Sequence, residues 1–298
     1  MQAPFSMTRG IMRDEIEKLI GELPDGEGLL ALSYLTGASP GELRRQKEAP
    51  EEAVIRKYRE IVKKRRSGEP LQYALGVWDF YGRTFHVDAR ALIPRPETER
   101  LVERVLEENL EDAVVVDVGT GSGIIAITLA EETGYFQGKK KSPQKIYGLD
   151  ISPEALSLAR ENEKSRNPAE KTEKMIQWMR SDLLQSLDAI KGKIHCIVSN
   201  PPYIDPKEKE HLQPELFYEP SIALYAGNPG DGGLAIYERL IRDSAQYLAK
   251  GGLLAMEIGD EQGKAVSGLL RRFHFHGIEI HPDYTGRDRV AVGRAQEE

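Results

Sequence analysis

The sequence has a single cysteine, Cys196, among its 298 residues. One cysteine excludes an internal disulfide and any metal site built from several cysteines. The sequence has no run of 18 or more apolar residues, so no transmembrane helix is expected. Residues 1–13 contain no apolar stretch long enough for a secretory signal. The six histidines do not show the spacing of common metal-binding motifs, and we expect no metal.

An excess of positive charge is also lacking. The 41 Lys and Arg residues against 48 Asp and Glu give a net charge of −7, which argues against a protein whose whole surface binds nucleic acid or anionic membrane. With 40% hydrophobic and 30% charged residues, the composition predicts a globular, cytoplasmic α/β protein rather than a disordered chain.

The first third of the sequence carries helical patterns. Apolar residues recur at helical spacing within 9–23, Ser39-Pro40-Gly41-Glu42 has the form of a capping box, and a further helix is expected from about residue 50 to residue 66. The helix ends in basic residues, which leaves two interpretations open: a solvated face with cations at the helix end, or a docking surface for RNA or an RNA-bound partner. These residues are Arg56, Lys57, Arg59, Lys63, Lys64, Arg65 and Arg66. We expect a helical domain over residues 1–68.

A β-hairpin linker is expected over residues 69–93, with its strands within 72–81 and 83–88 on either side of Gly82. Strands and helices then alternate to the end of the chain. Apolar runs predict strands at 113–118, 145–149, 174–179, 194–199 and 253–258, followed by a closing hairpin of 278–281 and 289–293. This alternation predicts an open parallel sheet covered by helices on both faces. Residues 134–144, with three consecutive lysines, are expected to form a solvated insertion.

A glycine-rich loop, Gly119-Thr120-Gly121-Ser122-Gly123, follows the first strand of the sheet and precedes a helix. It is not a dinucleotide fingerprint, because Ile124 stands where the third glycine belongs, and it lacks the lysine of a P-loop. Asp150 ends the next strand, where its carboxylate can accept hydrogen bonds from both hydroxyls of a ribose. A ligand with a ribose but no pyrophosphate fits best, and S-adenosylmethionine is the obvious one. On these residues alone, a tight structural turn stays open.

The tetrapeptide Asn200-Pro201-Pro202-Tyr203 follows the fourth strand of the sheet. Prolines lack an N–H donor, so carbonyl oxygens here are free to accept hydrogen bonds, and Asn200 adds a side-chain carbonyl. Together they can hold an NH₂ group by both hydrogens, while Tyr203 offers an aromatic face to a planar amide or base. The pattern predicts methylation of a planar, poorly nucleophilic nitrogen, accelerated mainly by positioning.

Asn-Pro-Pro-Tyr in this place resembles methyltransferases that act on adenine N6 or glutamine N5. The surrounding residues narrow the resemblance to the peptide-chain release factor glutamine methyltransferases. The segments that carry it are 71–73, 75–76, 80–82, 92–99, 117–123, 150–153, 198–204, 219–220, 230–233, 257–259 with Gln262, and 286–290. They span nearly the whole chain from about Gly68.

This resemblance implies a Rossmann-like class I S-adenosylmethionine-dependent methyltransferase domain over residues 94–298, preceded by a helical substrate-recognition domain. It implies methyl transfer to the glutamine side-chain amide in the Gly-Gly-Gln motif of peptide chain release factors, with S-adenosylhomocysteine as the second product. The implied cofactor-binding residues are Gly119, Thr120, Gly121, Ser122, Gly123, Asp150, Asp182, Leu183 and Asn200. The implied substrate-binding residues are Asn200, Pro201, Pro202, Tyr203, Arg95 and Glu97, of which Asn200, Pro201 and Tyr203 are expected to be catalytic.

Three alternatives stay open beside this prediction. Adenine methylation in DNA or RNA is disfavoured by the net charge of −7 and by residues 92–99, whereas a glutamine of a ribosomal protein would need the same chemistry. A non-catalytic adaptor that binds S-adenosylmethionine is disfavoured by the intact Asn200–Tyr203 segment. We expect a monomeric enzyme with a protein substrate and no requirement for nucleic acid or membrane.

Overall fold

The computed structural model describes residues 16–24, 26–46, 49–167 and 174–296. The chain forms two compact units, one comprising Met1–Val77 with Pro214–Tyr218 and the other Trp78–Gln213 with Glu219–Glu298. Within the described ranges, no helix has the length and apolar character needed to cross a membrane.

The first unit is helical. Its helices are α1 (Glu27–Thr36), α2 (Pro40–Arg45), α3 (Glu52–Arg66) and α4 (Leu71–Leu75). Residues 16–20 are also helical, and the earlier part of the helix expected over 9–23 lies outside the described residues. The buried side chains of Leu32, Leu43 and Tyr58 form the centre of its core, in which the Tyr58 hydroxyl donates to the Leu19 carbonyl at 2.5 Å.

The capping box predicted at residue 39 is confirmed. The Ser39 hydroxyl accepts from the Glu42 amide at 3.3 Å, and the Glu42 carboxylate accepts from the Ser39 amide at 2.8 Å. These two bonds satisfy backbone donors that the first turn of a helix cannot pair internally, so the sequence fixes where α2 begins.

The basic end of α3 is largely paired within its own unit. Arg65 binds Glu27 and Glu215 at 2.8 and 2.9 Å, and Arg66 donates to the Glu22 carbonyl at 3.1 Å. Lys64 lies 3.7 Å from the Glu69 carboxylate. These contacts favour the interpretation of residues 63–66 as a helix end over that of a free basic surface.

The expected hairpin is present but shorter than predicted. Strands β1 (Val77–Phe80) and β2 (Arg83–His86) form a two-stranded sheet, whereas residues 72–75, predicted as strand, belong to α4. The strand prediction for these residues was wrong because Leu71 and Tyr73 are buried when the segment forms one helical turn. Gly76, with φ of 75°, then ends that turn in a left-handed conformation that glycine adopts readily.

The second unit contains a seven-stranded sheet covered by helices. Its strands are β3 (Val114–Val118), β4 (Lys145–Asp150), β5 (Gln177–Arg180), β6 (Ile194–Ser199), β7 (Leu248–Glu257), β8 (His276–Pro282) and β9 (Asp288–Arg294). Its helices are α5 (Thr98–Leu106), α6 (Ile124–Glu132), α7 (Pro153–Arg166), α8 (Ser221–Leu224), α9 (Ala235–Tyr247) and α10 (Gly263–Arg272). Short 3₁₀ segments lie at Gln185–Ile190, Pro206–His211 and, in the first unit, Pro214–Tyr218.

The strand order is β5-β4-β3-β6-β7-β9-β8. Strands β5, β4, β3, β6 and β7 run parallel to one another, and β9 lies antiparallel to both β7 and β8. The order reverses between β3 and β6, and open α/β sheets bind ligands outside the carboxyl ends of the strands at such a point. The predicted α/β fold with its closing hairpin is confirmed.

The core lies on both faces of this sheet. Along β3 and β6, alternate residues point to opposite faces, with Val115 and Cys196 in one cluster and Val116 and Ile197 in the other. Burial raises the pKa of the Cys196 thiol to about 12. A thiol with this pKa carries almost no thiolate near neutral pH, so Cys196 is an inert core residue.

The insertion at residues 134–144 is not wholly solvated, which corrects the prediction. Tyr135 and Phe136 are buried in the core, and the Tyr135 hydroxyl donates to the Met175 carbonyl at 3.1 Å. The chain turns at Gly134, which has a φ of 69°, and this turn directs the two aromatic rings inward. Lysines 139–141 remain exposed as expected.

Candidate functional site

A cavity of about 310 Å³ lies at the carboxyl ends of β3, β4 and β6. Its volume is that of a small-molecule site, for which about 300–1,000 Å³ is typical. The predicted site residues on its wall are Arg95, Gly119, Thr120, Gly121, Ser122, Asp150, Asp182, Leu183, Asn200 and Pro202. The other four, Glu97, Gly123, Pro201 and Tyr203, lie beside these residues in the chain but do not form the wall. Most of the predicted site is therefore brought together in one place.

The glycine loop turns from β3 into α6 through left-handed backbone. Gly119, Gly121 and Gly123 have φ of 69°, 54° and 82°. A Cβ on Gly123 would lie 2.9 Å from Trp178 and 3.0 Å from Ala159, whereas one on Gly119 would meet no atom closer than the Asn200 carbonyl at 4.0 Å. Gly123 is thus required by packing, and Gly119 leaves open the space in which a ligand would lie.

Asp150 holds the loop while facing the cavity. Its Oδ2 accepts from the Gly121 amide and its Oδ1 from the Ser152 amide, each at 2.9 Å. Burial raises the pKa of Asp150, although these backbone hydrogen bonds act to lower it. A carboxylate has about four acceptor sites, so both oxygens can still accept from the two hydroxyls of a ribose.

Asp117 holds the glycine loop through hydrogen bonds, although no role was predicted for it from the sequence. Its Oδ2 accepts from the Thr120 hydroxyl at 2.5 Å and from the Ala126 amide at 3.2 Å. Burial raises the pKa of Asp117 to about 7, and the charge of Asp150 adds to the effect. Its position at the end of a buried strand, directly before the glycine loop, was the available signal.

The far end of the cavity carries Asp182 and Leu183. Asp182 forms an ion pair with Arg239 of α9 at 2.7 Å, and Arg239 also lies on the cavity wall. Leu183 has a φ of 51°, a conformation that costs a residue with a Cβ about 1–2 kcal/mol. Arg239 was missed, because an arginine on an amphipathic helix has the pattern of a solvated face.

Asn200 follows β6, next to the end of β3. The Ser199 hydroxyl donates to the Val118 carbonyl at 2.7 Å and holds the two strand ends together. The Asn200 Nδ2 group donates to the Thr98 hydroxyl oxygen at 3.2 Å, and the Thr98 hydroxyl lies 2.6 Å from the Glu257 carboxylate. Neither Thr98 nor Glu257 was predicted to have a role at the site.

Tyr203 is held through its backbone, and its side chain is half-buried. Gln262 Nε2 donates to the carbonyls of Tyr203 and Gly232, at 3.1 and 2.9 Å. A Cβ on Gly233 would lie 2.0 Å from the Tyr203 carbonyl oxygen, so only glycine fits there. Burial raises the pKa of the Tyr203 phenol, and the nearby charge of Glu257 raises it further. The tyrosine is therefore neutral and fixed in place.

Arg95 reaches the cavity from the loop before α5. Its guanidinium is paired with Glu219, whose other oxygen accepts from the Ile93 amide at 2.9 Å. The Glu219 side chain is 2% exposed and that of Arg95 31%. Glu219 therefore fixes both the loop and the arginine. Helix α5 then begins at Thr98.

Two family models match different parts of this chain. Residues 97–227 match the family described as methyltransferase small domain, and residues 20–76 match the PrmC N-terminal domain. The chain is 40% identical over 240 residues to the release factor glutamine methyltransferase of Staphylococcus aureus, covering 80% of each protein. The chain belongs to the release factor glutamine methyltransferase family.

A second release factor glutamine methyltransferase, from Neisseria gonorrhoeae, is 38% identical over 277 residues, which cover 92% of this chain and 95% of the relative. A solved methyltransferase from Pyrococcus furiosus covers 78% of this chain and 99% of its own, with a TM-score of 0.51 at 15% identity, a likeness that concerns the fold. The recognition from sequence of a release factor glutamine methyltransferase is confirmed. The roles of individual residues stay predictions.

Proposed function

We propose that this protein transfers the methyl group of S-adenosylmethionine to the side-chain amide nitrogen of the glutamine in the Gly-Gly-Gln motif of peptide chain release factors. The transfer would support translation termination. The observation that supports the proposal is that Asn200 and the Gly119–Ser122 loop line the same cavity. A side chain that could bind an amide and a loop that could bind a nucleoside would then act on neighbouring parts of the reactants.

The cavity residues fit S-adenosylmethionine. The open space beside Gly119 would receive the methionine part, the Asp150 carboxylate would bind the ribose hydroxyls, and Leu183 with Asp182 would lie along the adenine. These residues all face the same cavity. When bound, the cofactor supplies an electrophilic sulfonium methyl group and leaves as S-adenosylhomocysteine.

The substrate-binding residues act by orientation. An amide nitrogen is a weak nucleophile because its lone pair is delocalised, so its direction towards the methyl group decides the rate. The Asn200 side-chain carbonyl and the neighbouring Pro201 carbonyl would accept the two amide hydrogens, and the aromatic ring of Tyr203 would contact the amide plane. Arg95, fixed by Glu219, and Glu97 would shape the entry of the peptide.

The partner of this reaction is a folded protein, and we place the enzyme as a monomer in the cytoplasm, where release factors act. The formal net charge of −7 supports a protein rather than a nucleic acid as substrate.

The proposal is tested with S-adenosylmethionine labelled in its methyl group. Incubation with the purified protein should label a release factor, and the label should vanish when the glutamine of the Gly-Gly-Gln motif is changed to alanine. Separate parallel reactions offer a ribosomal protein extract or duplex DNA as alternative substrates. Labelling of DNA in place of the release factor would contradict the proposal.

A further inference from the structure

A row of three polar side chains leads from the end of β7 to the substrate-binding end of β6. The Glu257 carboxylate lies 2.6 Å from the Thr98 hydroxyl, which lies 3.2 Å from the Asn200 Nδ2 atom. Glu257 and Thr98 are each 1% exposed. Because β6 and β7 are parallel neighbours, both acidic and amide side chains emerge at the same edge of the sheet, and the first residue of α5 bridges them.

The hydrogen atoms in this row can be assigned by counting donors. An ionised carboxylate only accepts, and a threonine hydroxyl has one hydrogen to donate. The Thr98 hydrogen therefore points to Glu257, and the Thr98 oxygen offers only lone pairs to Asn200. An amide placed next to these lone pairs must present its NH₂ group.

We propose that Glu257 and Thr98 are positioning residues that fix the orientation of the Asn200 amide. With Nδ2 turned towards Thr98, the Oδ1 atom of Asn200 is left to accept a hydrogen from the substrate amide. This inference rests on the proposed function, which makes the substrate a primary amide whose NH₂ group must be bound by acceptors.

The reversed orientation of the Asn200 amide would disrupt its contact with Thr98 and its contact with the substrate. It would bring Oδ1 of Asn200 against the lone pairs of Thr98, leaving two acceptors at 3.2 Å without a hydrogen between them. It would also turn the Asn200 NH₂ group towards the NH₂ group of the substrate. A buried acceptor without a partner costs about 1–3 kcal/mol, so the row selects one of the two amide orientations.

The test compares variants that keep or remove the Thr98 hydroxyl. Thr98→Val preserves shape but has no hydroxyl, and Thr98→Ser keeps the hydroxyl. Thr128→Val is the matched control, because Thr128 is fully buried in α6 and its hydroxyl has no hydrogen-bond partner among the described residues. Glu257→Leu is a second variant, which removes the acceptor for the Thr98 hydrogen and keeps a similar side-chain size.

Methyl transfer to a release factor is measured at about pH 8, above the pKa of about 7 to which burial raises the Glu257 carboxyl. Under these conditions Thr98→Val should lower kcat about 10- to 100-fold, the range expected from the loss of one orienting hydrogen bond. The KM for the release factor and the Kd for S-adenosylmethionine should stay within about twofold. Thr98→Ser and Thr128→Val should retain the wild-type kcat, and Glu257→Leu should lower it in the same direction as Thr98→Val. An unchanged kcat in Thr98→Val or Glu257→Leu would overturn the inference.

A second measurement needs no substrate. The side-chain amide signals of Asn200 in a ¹H–¹⁵N spectrum, assigned by their loss in Asn200→Asp, should show one hydrogen protected from exchange in the wild type and in Thr128→Val. That protection should be lost in Thr98→Val. Equal protection with and without the hydroxyl would overturn the inference. A wild-type enzyme that fails to methylate release factors would instead contradict the proposed function, and the spectrum would still decide the orientation of Asn200.

Discussion

Replacing Gly119 by alanine separates the ligand-binding role of the glycine loop from its backbone strain. Gly119 has a φ of 69°, and a Cβ there would have no atom nearer than 4.0 Å. Gly192 is the matched control, with a φ of 72° and no atom within 4 Å of its Cβ. Both alanines suffer the same left-handed strain, but only Gly119 lies on the cavity wall.

The expected loss of stability is therefore the same for the two variants. A Cβ in the left-handed region costs about 1–2 kcal/mol, and each kcal/mol lowers Tm by about 2–4 °C in a chain of this size. Cofactor affinity should differ. The added methyl group occupies the space assigned to S-adenosylmethionine, so Gly119→Ala should weaken binding by at least about tenfold, equivalent to about 1.4 kcal/mol.

Calorimetric titration with S-adenosylhomocysteine and urea denaturation measure these two effects separately. Gly192→Ala should bind with wild-type affinity and unfold at the same urea concentration as Gly119→Ala. Wild-type affinity in Gly119→Ala would refute the placement of the cofactor beside Gly119.

Three further predictions concern the substrate loop, the basic helix end and the buried acid below the glycine loop. Asn200→Ala should lose methyl transfer while changing the Kd for S-adenosylhomocysteine far less; full turnover measured by label incorporation would refute its role. Lys63→Glu with Lys64→Glu should cost about 1 kcal/mol at the helix end and leave the KM for the release factor unchanged. Lys140→Glu with Lys141→Glu is the charge control, and a KM raised only by the first pair would revive the docking interpretation. Burial raises the pKa of Asp117 from 3.8 to about 7, so the folded state binds more protons than the unfolded state between these values and stability falls as pH rises through them. Asp117→Asn cannot titrate and loses this pH dependence. The difference in the free energy of unfolding between Asp117→Asn and wild type, measured in urea, should therefore shift in favour of the variant by up to about 4 kcal/mol from acidic pH to about pH 8. A difference that does not depend on pH would contradict the raised pKa.

Sequence patterns predicted the elements whose signals are local. Strand β6 has the predicted limits, because a buried parallel strand is a short apolar run. Helix α6 follows the glycine loop as predicted, because such a loop marks the start of a helix. Residues 72–75 were predicted wrongly, since a single helical turn is too short to show a helical period. The burial of Tyr135 and Phe136 within a polar insertion depends on where Gly134 turns the chain, and that is not visible in local composition.

The site residues that could be predicted from the sequence are those that directly follow strands. Asp150 and Asn200 were placed in the same cleft because the carboxyl ends of parallel strands share one edge of a sheet. Thr98 and Glu257 had no such signal. Thr98 is 102 residues from Asn200 and 159 from Glu257 in the chain, and only the packing of α5 against the sheet brings the three side chains together.

The most direct test of the central claim is peptide mass spectrometry of a release factor after reaction with this protein and S-adenosylmethionine. One methyl group should appear on the side-chain amide of the glutamine in the Gly-Gly-Gln motif, and it should be missing when the enzyme carries Asn200→Ala. A methyl group on any other residue, or an unmodified glutamine after reaction with the wild-type enzyme, would contradict the account.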